Sequence, residues 1–213
     1  VELFRGLECI GQAPLDVQPA KKRVRIQWAG SSRMMSYSGV VWDGSLQVQG
    51  AEIGDVQCQR FDSPRSAVTS QDTQNLAWQA WGCGYPMAID LDLEYEDPAA
   101  VSLQLSVGTQ LISGPFFGRH GSEGPMRMSL APGEQCTIQA DLVEIQQQCQ
   151  EYSLGVLDRV IRIGAVPVGQ QSQVDWEIQD DAPQVGWQPY WIRVTQQDLE
   201  MAWSSPVFID YVE

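Results

Sequence analysis

From Met87 to Glu94 the chain reads MAIDLDLE, with Met87, Ile89, Leu91 and Leu93 on one parity and Asp90, Asp92 and Glu94 on the other. A period of two is the pattern of a half-buried β-strand, because successive side chains leave opposite faces of the pleat. RVRIQWA at 23–29 has the same texture, with Val24, Ile26 and Trp28 set against Arg23, Arg25 and Gln27. Further short runs follow at Val101 to Val107, in VLDRVIRIGAVPV, VDWEI and PYWIRVTQ, and in AWSSPVFIDYV, each bounded by polar or Pro/Gly punctuation. Only DLVEIQQQCQEY at 141–152 places apolar residues (Leu142, Ile145, Cys149) at helical spacing. Many short strands with almost no helical period predict an all-β chain, an antiparallel β-sandwich with long loops and at most one short helix.

With 213 residues, 43% of them apolar, the chain is long enough to bury a real core, and a single sandwich domain over 1–213 is expected. The polar, breaker-rich DSPRSAVTSQDTQN near 62–75 reads either as one long loop or as a subdivision. Asp43-Gly44 predicts a two-residue type I′ hairpin turn, since that turn needs positive φ at both positions. Asp97-Pro98 predicts the turn of a second hairpin. The Gly/Pro/Ser-rich 108–133, including SGPFFGRHGSEGP, reads as a long surface connection. AWSSP is expected to end the last hairpin, with Trp203 packing the strand end and Pro206 at a strand edge.

A net charge of −14 argues against nucleic acid, because backbone binding relies on clustered Lys and Arg. The one compact basic run, Lys21-Lys22-Arg23 continuing to Arg25, reads as a solvated strand entry. No window approaches the roughly 18 consecutive apolar residues of a membrane span, so none is predicted. VELFRGLECIG carries neither an initiator Met nor a secretory pattern, and the numbering is expected to start inside a longer natural chain. Cys9, Cys58, Cys83, Cys136 and Cys149 are odd in number, widely spaced and never form CxxC, which favours reduced thiols and a cytoplasmic setting over a disulfide framework or zinc site.

Catalytic devices are scarce. His120 is the single histidine, it lies in the Gly/Pro-rich connection, and no GxSxG or cysteine signature supplies a nucleophile for it. No cofactor or metal site is expected in this segment. The carboxylates of IDLDLEYED suggest calcium, yet alternation spaces them about 6–7 Å apart along one strand face, a row and not a cage. A glycosidase would need a second carboxylate from another strand, which the sequence does not identify. Eight tryptophans remain. Trp28, Trp176 and Trp191 share parity with apolar neighbours and are expected in the core. Trp78, Trp81 and Trp187 lie beside turn residues, where they either pack in the core or present a ring for stacking on a sugar or other ligand.

PYWIRVTQQDLEMAWSSPVFI resembles the end of large bacterial proteins that carry a PHP-type (polymerase and histidinol phosphatase) metal-dependent phosphoesterase-like region followed by a β-rich tail. RVRIQWAG at 23–30, VVWDGSLQVQGAEI at 40–53 and FDSP at 61–64 are similar to that tail, and VELFRGLE resembles the strand that closes the catalytic part. The metal ligands of such a site belong to the upstream region, so the resemblance implies a noncatalytic C-terminal accessory domain that stabilises or positions an upstream domain of the same polypeptide. Leu3 and Phe4, in the first strand, are the expected interdomain contacts. A carbohydrate- or ligand-binding module is the rival expectation.

Overall fold

The period-two runs become strands in the computed structural model, which describes residues 1–13, 18–31, 39–113, 129–155, 159–168 and 173–212. The architecture is all-β, with one six-residue helix and one 3-10 turn among the described residues. The chain divides into two compact units: residues 19–166, and residues 1–18 together with 167–213. Strands are numbered along the chain.

The larger unit is a two-sheet sandwich. One sheet has the order β10-β9-β4-β7-β6, built from β4 (Val40–Gln49), β6 (Ala67–Gln71), β7 (Asn75–Gly82), β9 (Ser102–Ser113) and β10 (Ser129–Asp141). The other has the order β11-β12-β3-β8-β5, built from β3 (Gln18–Gly30), β5 (Glu52–Gln59), β8 (Gly84–Glu94), β11 (Gln150–Ser153) and β12 (Val160–Val168). The apolar parity of each run faces inward: Val24, Ile26 and Trp28 from β3 and Met87, Ile89, Leu91 and Leu93 from β8 are at most 1% exposed. Across the sandwich Trp28 stacks on Trp78 with ring centroids 5.4 Å apart. Each such aliphatic side chain contributes roughly 1.5–3 kcal/mol on burial.

Both expected hairpins are replaced by other connections. β4 runs straight through Asp43-Gly44, because both of its edges pair with distant strands, β7 and β9. Glycine is needed at 44 for space: a Cβ there would sit 2.1 Å from the Trp78 ring. The chain turns instead at Gly50, at φ +76°, and passes to the other sheet. β8 and β9 likewise lie in different sheets, joined by a 3-10 turn (Pro98–Ala100) whose first free N–H, that of Ala99, donates to Asp97 Oδ1 at 2.9 Å. The polar 62–75 region contains the edge strand β6 and lies inside the larger unit. The helix, α1 (Leu142–Gln147), buries Leu142 and Ile145 but ends before Cys149. β9 and β10 extend into both ends of 108–133, and residues 114–128, including His120, lie outside the described residues.

The smaller unit is one sheet joining the two ends of the chain. β1 (Glu2–Arg5) lies between β2 (Glu8–Gln12) and β13 (Gly186–Thr195). On its other side β13 pairs with β14 (Met201–Trp203) and β15 (Val207–Tyr211). Ser204-Ser205-Pro206 therefore interrupts one strand arm and does not terminate it: Ser204 N donates to Ile192 O, Ile192 N donates to Ser204 Oγ, both at 2.9 Å, and pairing resumes at Val207.

Candidate docking surface

Residues directly opposite one another in an antiparallel ladder share a face. In the smaller unit this puts Glu2, Phe4, Trp187, Pro189, Trp191 and Arg193 on one face of the sheet, with Trp203 opposite Arg193 and Phe208 opposite Pro189. The centre of that face is closed. Phe4 is 8% exposed and stacks on Trp191 at 4.2 Å, the Arg193 guanidinium lies 4.8 Å from the Phe4 ring, and Trp191 Nε1 donates to Gly6 O at 2.7 Å. The flanks are open: Trp187 is 68%, Trp203 58% and Phe208 57% exposed. The opposite face carries Val207 and Ile209, also exposed. Of the exposed large hydrophobic side chains among the described residues, Leu130 alone belongs to the larger unit.

The polar groups of this unit are committed internally. Arg193 forms a bidentate pair with Glu2 (2.7 and 2.9 Å), whose carboxyl this hydrogen bond holds below its ordinary range. Arg5 bridges Glu8, Asp180 and the Ala182 carbonyl. Asp180 accepts from Tyr190 Oη at 2.6 Å, and Tyr190 Oη also meets Tyr211 Oη at 3.0 Å. The Tyr190 hydrogen bond, the Ala182 N–H and Arg5 lower the Asp180 pKa, while burial and the same carboxylate push Tyr190 up. Arg5 and Arg193 are the two basic residues of this unit, against eleven Asp and Glu.

The acidic row of β8 is paired and not open to a cation. Arg25 grips Asp90 (2.6 and 2.7 Å), Arg23 grips Asp92 (2.6 and 2.8 Å), and Lys22 reaches Glu94 at 2.7 Å, so the basic run of β3 and the carboxylates of β8 neutralise each other across the ladder. The Arg23 hydrogen bond lowers the Asp92 pKa. At the end of the sandwich where the chain changes sheets, Glu52, Gln74, Tyr95, Glu96 and Asp97 line a shallow groove of about 660 Å³. Beside β9, Arg159, 3% exposed, meets Glu134 at 2.5 Å and donates to Thr109 Oγ1 at 3.3 Å. Among the described residues no group of three or more His, Cys, Asp or Glu is placed to hold a metal ion. Burial pushes the thiols of Cys58, Cys136 and Cys149 up, away from the reactive thiolate.

The three tryptophans considered for stacking have three different fates. Trp78 takes the core alternative: it lies in the middle of β7 and is 2% exposed. Trp81 is half-buried, with Arg65 4.9 Å from its ring and its Nε1 donating to Gln79 Oε1 at 3.0 Å. Trp187 alone presents a largely free ring. Leu3 is half-buried and Phe4 buried, both in the inner strand β1 of the smaller unit. Trp203 and Phe208 were missed as surface aromatics, because in AWSSPVFID each reads as a strand residue with apolar neighbours. No helix among the described residues is long and apolar enough to cross a membrane. Comparison with protein-family models, with curated proteins and with solved structures finds no match to this chain.

Proposed function

We propose that the chain is a noncatalytic accessory module whose smaller unit docks onto an upstream domain of the same polypeptide. The observation that carries this is the concentration of exposed Trp187, Trp203, Val207, Phe208 and Ile209 on one small sheet, whereas among the described residues of the larger unit Leu130 is the one large apolar side chain left exposed. Large apolar side chains left exposed together on a small sheet mark interaction sites, and Trp is among the residues most enriched where binding energy concentrates. The resemblance of the closing segment to the tail of PHP-type proteins supplies the partner class: a metal-dependent phosphoesterase-like domain upstream. Hydrogen exchange on the chain joined to the region encoded before Val1, compared with residues 1–213 alone, tests this. Amides at 186–192 and 201–211 should be more protected in the longer protein; equal protection throughout the sheet overturns it. Incubating residues 1–213 with divalent metals and generic phosphoesters should give no turnover above background, and turnover that survives repurification ends the noncatalytic reading.

A carbohydrate-binding role is the second reading, favoured specifically by the free ring of Trp187 on the same face as Trp203 and Phe208. It predicts a shift in tryptophan emission on a glycan panel that Trp187→Ala abolishes with the fold intact. No shift across the panel discards it.

A further inference from the structure

Resting on the docking reading, we infer that the open edge of β15 receives an extended, basic segment of that upstream domain as an added antiparallel or parallel strand. The backbone geometry defines which groups are offered. Gly6 N donates to Pro189 O at 2.8 Å, so the Pro189 main chain is turned toward β1. Phe208, opposite Pro189, therefore forms a non-hydrogen-bonded pair with it, and Asp210, two residues on, has the same orientation. The N–H and C=O of Phe208 and Asp210 point away from β13, and among the described residues β15 pairs with no other strand.

Sheet edges are normally protected, and among the described residues the other edge strands are blunted, β14 by its length of three residues. In the larger unit β5, β6 and β10 each carry a register shift, and β11 has four residues with Glu151 paired to Arg162. At the far side of the smaller unit, β2 itself carries a register shift, Ile10 being passed over between Gly11 and Cys9, and has Trp176 and Ile178 packed over Gly11. β15 holds five residues in unbroken register, without lysine, with exposed Val207, Phe208 and Ile209. Strand addition to such an edge takes affinity from main-chain hydrogen bonds and selectivity from alternate side chains.

Charge selects the occupant. The smaller unit has eleven carboxylates and two arginines, both already paired, so its free field is negative and steers a cationic partner. A second copy, itself at −14, brings the same sign and is disfavoured. The fitting segment is apolar at alternate positions and carries Lys or Arg between them.

An amidated eight-residue Lys-Val alternating peptide is the probe, titrated into residues 1–213 and followed by anisotropy. A Glu-Val counterpart and a Lys-Val peptide N-methylated at alternate residues are the comparisons. Expected are binding of the Lys-Val peptide, roughly tenfold weaker binding after N-methylation through the loss of one or two edge hydrogen bonds, and strong weakening in high salt. Asp210→Lys should weaken it at least severalfold, Glu52→Lys in the larger unit should not, and β15 amides should gain protection. Equal binding of Lys-Val and Glu-Val peptides, indifference to N-methylation, or no binding at millimolar peptide overturns the inference. So does self-association of the chain that Asp210→Lys changes. The docking reading has its own failure, the absence of any protection on the smaller sheet in the longer protein. Protection confined to the Trp187 and Trp203 face would keep docking and discard the edge.

Discussion

Trp78→Ala and Trp187→Ala remove the same indole and should have effects that differ by several kcal/mol. Trp78 is 2% exposed, stacks on Trp28 at 5.4 Å and covers Gly44, whose missing Cβ leaves the space its ring fills. A tryptophan buries about 150–250 Å², which at about 25 cal/mol per Å² is roughly 4–6 kcal/mol. Truncations of this kind measure about 3–5 kcal/mol, cavity included. The Trp78 indole N–H finds no acceptor among the described residues, which offsets part of the loss, because that donor is stranded in the native state. We therefore expect Trp78→Ala to destabilise the larger unit by about 3–4 kcal/mol and Trp78→Phe by distinctly less, since phenylalanine keeps most of the stack and removes the stranded donor. At about 2–4 °C per kcal/mol for a unit of this size, Trp78→Ala should lower the Tm by roughly 6–16 °C. Trp187, 68% exposed, has little burial to lose, and its replacement should stay within about 0.5 kcal/mol. Urea unfolding followed by far-UV circular dichroism is the assay, fitted with separate transitions if the two units do not unfold together. A Trp78→Ala chain within about 1 kcal/mol of wild type would refute the inter-sheet stack.

Other expectations follow from individual contacts. Gly44→Ala drives a Cβ to 2.1 Å from the Trp78 ring and should destabilise by about 1–3 kcal/mol in the same unfolding assay, where an unchanged midpoint would contradict the packing. Asp90, 3% exposed and gripped by Arg25, should show a loss of about 3–5 kcal/mol on Asp90→Ala, because the guanidinium keeps its charge without a partner, and pairing the change with Arg25→Met should recover much of it. Asp180 has a folded pKa below its unfolded one, so its contribution is complete above the ordinary carboxylate range near pH 4 and is lost as pH falls through the lower folded value. Wild type should accordingly lose Tm across that window more steeply than Asp180→Asn, and parallel profiles would deny the Arg5–Asp180–Tyr190 network a role in stability.

What the sequence determined by itself is the all-β class, most strand positions and the face each strand turns inward. Alternation is local: Met87, Ile89, Leu91 and Leu93 must share a face in any strand, and Asp90, Asp92 and Glu94 must share the other. What tertiary structure decided is partnership. Asp43-Gly44 carries the local chemistry of a hairpin turn, but β4 is held straight by β7 and β9, and the need for glycine at 44 comes from a tryptophan 34 positions later. β1 finds β13 across almost the whole chain, so no local pattern near Leu3 or Trp191 announces a second unit. Exposure at the candidate surface has the same origin. Trp78 and Trp187 both stand in polar, strand-like surroundings, and whether a ring is buried depends on whether a second sheet lies over it: β3 places Trp28 over the first, and the second is left open on a single sheet. Burial is a property of pairs of surfaces, and a one-dimensional pattern names only one member of each pair.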